Sequence, residues 1–364
     1  MVIGIDARAA AEVPAGRGRY VRELLTALAT LPEAGDARFV LYAREPWGAL
    51  GPERFHWQLI GRPDPVWHLA AARHANATCD VFLSTNSYLT AWFTRIPTAI
   101  TVYDLIPWTQ PDQARKGSAR IERATIRPAL RRAAALLCIS AATRDDLCRL
   151  FPVAEPKASV VPLAADARFG EPVETTGHPS LDRPYVLAVG TLEPRKNLER
   201  LIAAWLSLSP DERAGHALAL VGPRGWDDAP ILQAARDAGA VLVGQVSDEE
   251  LHALYAGATV FAYPSLYEGF GLPPLEAMAA GAPVLTSDVS SLPEVVGDAA
   301  LRVDPTDTDA IASGLRALLA DDPLRERLRT AGRERAQAFS WERTARETLA
   351  LLRAIAGQPA STAS

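Results

Sequence analysis

Two carboxylates flank a glycine-rich turn in the segment YPSLYEGFGLPPLEAMAAG, residues 263–281. Glu268 precedes the turn, and Glu276 follows it by about one turn of a helix that should begin near Leu272. Pro273-Pro274 fits the first turn of that helix, where the missing amide hydrogens would have no partner. Glycines let a ligand approach the backbone, and the free N–H groups at a helix start attract anions. Phosphate-binding amides between two carboxylates suit a ligand with both phosphate and hydroxyl groups.

The same two acids also allow other interpretations. A carboxylate near a helix N-terminus stabilises the helix by about 0.3–1 kcal/mol, and Glu276 could have only that role. Glu268 could be an exposed loop residue, and two neighbouring acids could also be the acid and base of a glycosidase. The spacing alone leaves these alternatives open.

A second candidate site lies in the segment GTLEPRKN, residues 190–197. A strand is predicted to end at Gly190 and a helix to span Asn197–Leu208, so Arg195 and Lys196 lie at a helix N-terminus. The helix dipole disfavours cations at this position. A bound anion between the two cations would explain their placement, and a solvated turn is the alternative.

Two segments of the N-terminal half could also hold ligand groups. Gly16 lies in the segment AGRGRY, between the first strand and the first helix. A tight strand–helix turn would explain these glycines equally well. Tyr103 and Asp104 follow a predicted strand, and open α/β sheets place ligand groups at the carboxyl ends of their strands.

A basic stripe with helical spacing follows these residues along the chain. It consists of Lys116, Arg120, Arg123, Arg127 and Arg131. Glu122 is the only acid between residues 115 and 132, and Pro128 should interrupt the helix unless a new one starts there. The stripe is either a solvated helix face or a patch that docks on anionic lipid or on a phosphate-bearing acceptor.

Short apolar runs alternate with helical ones along the chain, which predicts parallel α/β structure. A segment without periodicity, 165–184, separates two such series. Because the alternation of strands and helices starts again after this segment, we predict two doubly wound domains that face each other across a cleft. The predicted strands are Val2–Ala7, Arg38–Ala43, Val81–Ser84, Ala99–Tyr103, Leu136–Ile139, Ser159–Pro162, Tyr185–Gly190, Ala217–Val221, Val241–Val243, Val260–Tyr263 and Pro283–Thr286.

Length and composition restrict the class of protein. A chain of 364 residues suits two domains, and its net charge of −5 gives no general attraction to nucleic acid. The three cysteines and six histidines have no metal-ligand or disulfide spacing. Asp6 and Arg8 lie within the N-terminal apolar run, which is therefore no signal peptide, and no stretch has the roughly 18 apolar residues of a membrane span. A soluble or peripheral protein of the reducing cytoplasm is expected.

The stretch EGFGLPPLEAMAAGAPV resembles the Glu-x7-Glu signature of the retaining, family-4 type glycosyltransferases, and GTLEPRKN resembles their G-x-L-x-x-x-K-N motif. The resemblance extends from the Gly16 loop to Trp341. It implies an α/β GT-B fold of two Rossmann-like domains facing across a cleft. The acceptor-side domain would be 1–168, with the C-terminal helix 341–364 packed back on it, and the donor-binding domain would be 169–340.

The resemblance also implies roles for individual residues. The first Glu of the motif contacts the donor sugar and the second holds the ribose, which assigns these roles to Glu268 and Glu276. Many members have an arginine where this chain has Thr191, so Arg195 and Lys196 must supply the charge for the donor diphosphate. The residues implied in the chemistry are Glu268, Lys196, Arg195, Tyr103 and Asp104. Those implied in donor binding are Gly16, Gly190, Thr191, Arg195, Lys196, Val246, Glu268, Gly269, Phe270, Gly271, Leu272 and Glu276.

A further departure from the family is Tyr103, which replaces the usual histidine. A phenol can donate a hydrogen bond, but it cannot act as an imidazole acid or base near neutral pH. No carboxylate of the first domain is an evident nucleophile, which favours front-face substitution with the departing phosphate as the proton acceptor. The acceptor should enter near Gly16, Tyr88 and Asp104.

The motifs together resemble those of bacterial mannosyl- and rhamnosyltransferases of polysaccharide assembly. This favours GDP-mannose as the donor, ahead of UDP- or dTDP-sugars. It implies no cofactor beyond the nucleotide sugar, no metal because cations and helix N-termini replace it, and a saccharide or lipid-linked acceptor. The expected location is the cytoplasm, at the inner face of the plasma membrane if the stripe binds lipid. A GT-B nucleotide-sugar epimerase and a non-catalytic, typically exported sugar-binding protein remain as alternatives.

Overall fold

The chain forms two compact units. The computed structural model describes residues 1–14, 16–48, 50–51, 53–175, 180–213 and 215–357. One unit comprises Met1–Leu163 and the C-terminal segment from Ser340, and the other comprises Ala164–Phe339. The predicted domain boundaries, after residues 168 and 340, lie within a few residues of this division.

The first unit contains a parallel sheet of seven strands: β1 (Val2–Asp6), β2 (Arg38–Ala43), β3 (Phe55–Leu59), β4 (Val81–Ser84), β5 (Thr98–Val102), β6 (Ala135–Cys138) and β7 (Ala158–Val160). Their order across the sheet is β3-β2-β1-β4-β5-β6-β7. The three strands β4, β5 and β6 are buried at every residue. Continuous burial is typical of a parallel sheet with helices on both faces.

Helices connect these strands: α1 (Arg8–Glu12), α2 (Arg17–Thr30), α3 (Val66–Thr78), α4 (Ile106–Thr109), α5 (Lys116–Arg132) and α6 (Ala141–Leu150). Ser140 is the N-cap of α6. Its Oγ accepts a hydrogen bond from the backbone N–H of Thr143 at 3.0 Å, which satisfies one of the unpaired amides of the first turn of α6.

The prediction that Pro128 interrupts its helix is wrong, because α5 continues through it to Arg132. A proline removes one hydrogen bond, here the one to the carbonyl of Ala124. Ala124 is exposed, so its carbonyl can bond to water instead. Ile126 and Leu130, on the opposite side of the helix, are fully buried. Their packing outweighs the loss of one hydrogen bond.

The second unit contains a parallel sheet of six strands: β8 (Tyr185–Val189), β9 (Ala217–Val221), β10 (Val241–Gly244), β11 (Val260–Tyr263), β12 (Val284–Ser287) and β13 (Leu301–Val303). Their order is β10-β9-β8-β11-β12-β13. Every predicted strand is present. The two strands that were not predicted, β3 and β13, lie at sheet edges, where partial exposure breaks the continuous apolar run.

Helices of the second unit follow its strands: α7 (Leu198–Ser207), α8 (Ala229–Asp237), α9 (Asp248–Gly257), α10 (Leu272–Ala279), α11 (Leu292–Val296), α12 (Thr308–Ala320) and α13 (Asp322–Ala336). The predicted start of α10 near Leu272 is confirmed. The helix predicted from Asn197 begins one residue later, because Asn197 adopts a left-handed conformation with φ of 59°.

The C-terminal helix α14 (Trp341–Ala356) packs within the first unit. The ring centroid of Trp341 lies 6.2 Å from that of Tyr20 on α2, and Thr344 Oγ1 donates to the carbonyl of Pro162 at 2.6 Å. The predicted end of this helix, 358–364, lies outside the described residues. Among the residues that are described, no helix combines the length and apolar character needed to cross a bilayer.

Each sheet has a point where the chain reverses the direction in which it adds strands. In the first unit this point lies between β1 and β4, and in the second between β8 and β11. Ligands of open α/β sheets bind outside the carboxyl ends of the strands at such a point. The loops after β1, β4, β8 and β11 are therefore expected to carry functional side chains.

Candidate functional site

The loops after β8 and β11 bring two cations and two carboxylates together. Arg195 Nη1 lies 2.7 Å from Glu268 Oε2, and Lys196 Nζ lies 2.6 Å from Glu268 Oε1. Arg195 Nη2 also lies 2.6 Å from Glu193 Oε1. The anion expected between Arg195 and Lys196 is therefore supplied within the unit, by Glu268.

Hydroxyl groups also hold Glu268 in place. The Tyr263 hydroxyl and Ser265 Oγ donate to Glu268 Oε1 at 2.8 and 2.6 Å. Glu268 is only 8% exposed, so its interpretation as an exposed loop residue does not hold. Tyr263 and Ser265 were not predicted as site residues, although both stand in the same sequence segment, at the end of β11.

The pKa values of this cluster follow from burial and mutual charge. Burial raises the pKa of Glu268, but Arg195 and Lys196 outweigh it and hold that pKa well below its usual range. Burial lowers the pKa of Lys196 and repulsion by Arg195 lowers it further, and together they outweigh the attraction to Glu268. Burial also lowers the pKa of Arg195, yet Glu268 and Glu193 raise it above its ordinary value. Of the two cations, Lys196 therefore loses its proton more easily.

Glu276 lies in the second turn of α10, beside the turn that follows β11. It is 4% exposed, and the hydroxyl of Tyr255 donates to its Oε2 at 3.2 Å. The structure thus places Glu276 near the N-terminus of α10, as predicted. Its role toward a ribose stays a prediction.

The turn before α10 consists of two glycines, one on either side of Phe270. Gly271 has φ of 118°, and a Cβ there would lie 2.9 Å from Leu292, so only glycine fits without strain. Phe270 is 3% exposed, and its ring packs edge-to-face on Phe339 at 5.8 Å. The side chain of Phe270 therefore has a packing role. The predicted donor contacts of Gly269 to Leu272 rest on backbone groups.

Three glycines mark the carboxyl ends of three neighbouring strands: Gly190 after β8, Gly222 after β9 and Gly244 in β10. A Cβ on Gly222, whose φ is 139°, would lie 2.1 Å from the carbonyl oxygen of Gly190. No side chain fits between these backbones. Thr191 and Val246, two of the predicted donor contacts, follow these glycines in the sequence.

A cavity of about 180 Å³ lies in the first unit, lined by residues at the start of α2, in the loop after β4, at the end of β5 and in α5. Two of the predicted acceptor contacts, Tyr88 and Asp104, line it. The third, Gly16, caps α2 with φ of 55° and precedes a lining residue, Arg17. Glu122 of α5 lines the cavity as well, although the sequence had not marked it as a site residue.

Tyr103 also lines this cavity, but its hydroxyl is used within the unit. It donates to the carbonyl of Thr85 at 2.6 Å, and burial raises its pKa well above the ordinary value. The guanidinium carbon of Arg17 lies 5.0 Å from the centroid of its ring. The hydroxyl of Tyr103 could donate to a ligand only after its hydrogen bond to the carbonyl of Thr85 is broken.

The exposed face of α5 carries most of the predicted basic stripe, namely Arg120, Arg123, Arg127 and Arg131. The side chain of Lys116 lies outside the described part of the chain. Arg123 Nε donates to the carbonyl of Pro107 at 3.0 Å, and the guanidinium of Arg127 lies 5.5 Å from the ring centroid of Phe151. Two of the stripe's arginines thus also hold α5 against the unit.

Within the described ranges, no group of three or more His, Cys, Asp or Glu side chains could hold a metal ion. The three cysteines are free, with Cys79 and Cys138 buried. Metal independence of the reaction stays a prediction.

Known proteins match both halves of the chain. Residues 14–169 match the family described as Glycosyltransferase Family 4, and residues 176–335 match the family described as Glycosyl transferases group 1. The O-antigen chain mannosyltransferase B of Escherichia coli is 35% identical over 315 residues, which are 84% of this chain and 78% of that protein.

Solved structures match the fold over nearly its full length. Sucrose-phosphate synthase from Thermosynechococcus elongatus superimposes with a TM-score of 0.76 at 24% identity, over 97% of this chain and 98% of that one. HepE of Anabaena, in complex with UDP-glucose, gives a TM-score of 0.73 at 18% identity, over 97% of this chain and 99% of that one. This chain is therefore a member of the group 1, family-4 glycosyltransferases and has the GT-B fold.

Proposed function

We propose that this glycosyltransferase transfers mannose from GDP-mannose, with retention of the anomeric configuration, to a saccharide or lipid-linked acceptor. The observation that carries the proposal is the buried cluster of Glu268, Arg195 and Lys196 beside the start of α10. It offers cations to a diphosphate and a carboxylate to sugar hydroxyls. The 35% identity to a mannosyltransferase that acts on an O-antigen chain favours mannose and a polysaccharide-type acceptor.

The transfer breaks the bond between the sugar C1 and the leaving phosphate oxygen, and it joins C1 to the acceptor oxygen. In the front-face mechanism both events take place on the same face of the sugar, and the departing phosphate takes the acceptor's proton. Arg195 and Lys196 stabilise the charge that develops on the diphosphate. Because Glu268 and Glu193 already balance these cations, the diphosphate must share them. The sugar hydroxyls then give Glu268 new hydrogen-bond donors.

Incubation with GDP-mannose and a mannose-terminated oligosaccharide should yield GDP and a product longer by one α-linked mannose. The reaction should continue in EDTA, because Arg195, Lys196 and the N–H groups at the start of α10 supply the positive charge. GDP should raise the melting temperature more than UDP or dTDP, since a ligand that binds only the folded state stabilises it. Mass spectrometry detects the product, and NMR of the new anomeric proton reports its configuration.

The same assay separates the alternatives. If transfer occurs only from a UDP- or dTDP-sugar, the proposed donor is wrong but the proposed reaction stands. Isomerisation of the nucleotide sugar without any acceptor would favour an epimerase. A β-linked product would contradict retention, and loss of activity in EDTA that added Mg²⁺ restores would contradict metal independence.

We also propose that the exposed basic face of α5 contacts an anionic membrane, where a lipid-linked acceptor would lie. Ile121, which is 64% exposed, lies next to Arg120 in the sequence, beside this face and at the rim of the cavity of the first unit. A basic helix face with apolar side chains beside it is found on helices that lie at a membrane interface. Each arginine near an anionic surface contributes about 1 kcal/mol to binding.

Sedimentation with vesicles tests this contact. The protein should bind phosphatidylglycerol-containing vesicles more strongly than phosphatidylcholine vesicles, and salt should weaken binding. Arg120→Glu should reduce binding by about tenfold, because it removes one attraction and adds a repulsion. Arg327→Glu, the same change at an exposed arginine of α13, should have no effect. Equal binding by both variants would contradict a docking role for α5.

A further inference from the structure

The cavity of the first unit is lined by both hydrogen-bonding and apolar groups. Besides Arg17, Asp104 and Glu122, its lining contains the amide of Asn86, the apolar side chain of Ile121, and six residues with hydroxyl groups: Ser87, Tyr88, Thr101, Tyr103, Ser118 and Thr125. Such groups can both donate and accept hydrogen bonds. This lining matches the hydroxyl groups of a sugar.

The charged groups of the cavity disfavour an anion. Arg17 Nη2 lies 3.6 Å from Glu122 Oε1. Burial lowers the pKa of Arg17, but Asp104 and Glu122 outweigh it and raise that pKa above its ordinary value. Two carboxylates therefore act on a single guanidinium. A phosphate in the cavity would face both carboxylates and would have to compete with them for Arg17.

Glu122 is placed to contact a ligand as well as Arg17. The distance of 3.6 Å exceeds the roughly 2.7–2.9 Å of a strong charge-assisted hydrogen bond, so Arg17 holds this carboxylate loosely. About 20% of the Glu122 side chain is exposed. Burial and repulsion by Asp104 together raise its pKa more than Arg17 lowers it, so this carboxylate would gain from new hydrogen-bond donors.

We propose that Glu122 determines the acceptor: it accepts hydrogen bonds from the hydroxyls of a neutral saccharide unit and, with Asp104, excludes a sugar phosphate. The inference rests on the proposed glycosyl transfer but not on the nucleotide of the donor. The volume of about 180 Å³ is below the ~300–1,000 Å³ of sites for drug-sized ligands and suits one sugar unit. A phosphate of a lipid-linked acceptor would then lie outside the cavity.

Acceptor kinetics at saturating donor test the proposal. The wild type should have a kcat/KM for α-mannobiose at least about tenfold above that for mannose 1-phosphate. Glu122→Gln should raise the KM for α-mannobiose by about tenfold, because hydrogen bonds to a charged acceptor are lost. Its kcat and its KM for the donor should stay nearly unchanged. Glu122→Lys should shift the preference toward mannose 1-phosphate, and Asp112→Asn, at an exposed acid outside the cavity, should change nothing.

Saturation-transfer NMR without donor tests the same inference independently of catalysis. Methyl α-mannoside should give a signal with the wild type that Glu122→Gln weakens, whereas mannose 1-phosphate should give little signal. The inference is overturned if mannose 1-phosphate binds or reacts as well as the neutral sugar, or if Glu122→Gln leaves the KM and the signal unchanged. Absence of transfer from any nucleotide sugar, with neutral-sugar binding intact, would instead overturn the proposed function.

Discussion

Replacement of Glu268 by glutamine should lower kcat by about 10²–10³-fold, while the affinity for nucleoside diphosphate stays the same or rises. The carboxylate pairs with Arg195 at 2.7 Å and Lys196 at 2.6 Å, and it is the group proposed to hold the donor sugar. Loss of one such contact in a water-excluded site typically costs this factor in rate. The same change leaves both cations with less internal compensation, which favours an anionic ligand. Steady-state kinetics measures the first effect and calorimetry with GDP measures the second.

Glutamine is the sharper substitution because Glu268 is buried. Alanine would leave two buried cations without this partner, and breaking a buried ion pair costs about 3–5 kcal/mol of stability. Glutamine keeps the volume and an acceptor oxygen for Tyr263 and Ser265. Glu199→Gln removes the same charge from an exposed residue of α7 and should leave kcat and GDP affinity unchanged. Normal turnover of Glu268→Gln would contradict the place of Glu268 in the site.

The strands could be predicted because their signal is local. Each central strand is an apolar run with a turn signal at its end, and the cap at Ser140 depends on residues within one turn. Pro128 shows where prediction from local sequence fails. Its local cost is one hydrogen bond, whereas the burial of Ile126 and Leu130 depends on strands elsewhere in the chain.

The partners of the site residues could not be predicted, because they are distant in sequence. Lys196 and Glu268 are 72 residues apart and meet because β8 and β11 are neighbours in the sheet. The motifs identified both residues as ligand contacts, but they did not indicate that each neutralises the other. Glu193 was a usable signal, since an acid two residues before Arg195 within the same motif can pair with it, as the 2.6 Å contact shows.

Tyr103 and Glu122 illustrate the same limit in the first unit. The hydroxyl of Tyr103 was predicted to face a ligand, yet its proton goes to the carbonyl of Thr85, a group that sequence spacing does not identify. Glu122 is the one acid in a basic helix. It was noted only as an exception in the basic stripe and was not predicted as a site residue. Its position in the cavity lining explains that exception. An isolated opposite charge on an amphipathic helix is therefore worth testing as a site residue.

Replacement of Lys196 by methionine should weaken the affinity for GDP by at least about tenfold and lower kcat by about 10²–10³-fold. Methionine keeps an apolar chain of similar length beside Gly190, where a Cβ in place of the glycine hydrogen would lie 3.3 Å from Lys196 Cε, so the main change is loss of the charge. Glu268 and Glu193 then outnumber Arg195, and the site repels a diphosphate. The effect on affinity is opposite in sign to that of Glu268→Gln, although both changes remove one charge from the same cluster. Calorimetry with GDP measures this opposition directly.

The pH dependence of GDP affinity separates Lys196 from its neighbours. Its pKa is lowered from the ordinary value by burial and by Arg195, so the charge is present at low pH and is lost as the pH rises toward that lowered pKa. Wild-type affinity should therefore fall as the pH rises, and the fall should occur below the usual titration range of lysine. Tyr263 does not titrate there, because burial raises its pKa well above the ordinary value. The GDP affinity of Lys196→Met should lack this pH dependence. Lys196→Arg, which keeps a positive charge, should bind GDP more tightly than Lys196→Met. Arg327→Met should have the affinity and the pH dependence of the wild type. Unchanged affinity in Lys196→Met would contradict a role in diphosphate binding, because this substitution removes the charge while it keeps the packing.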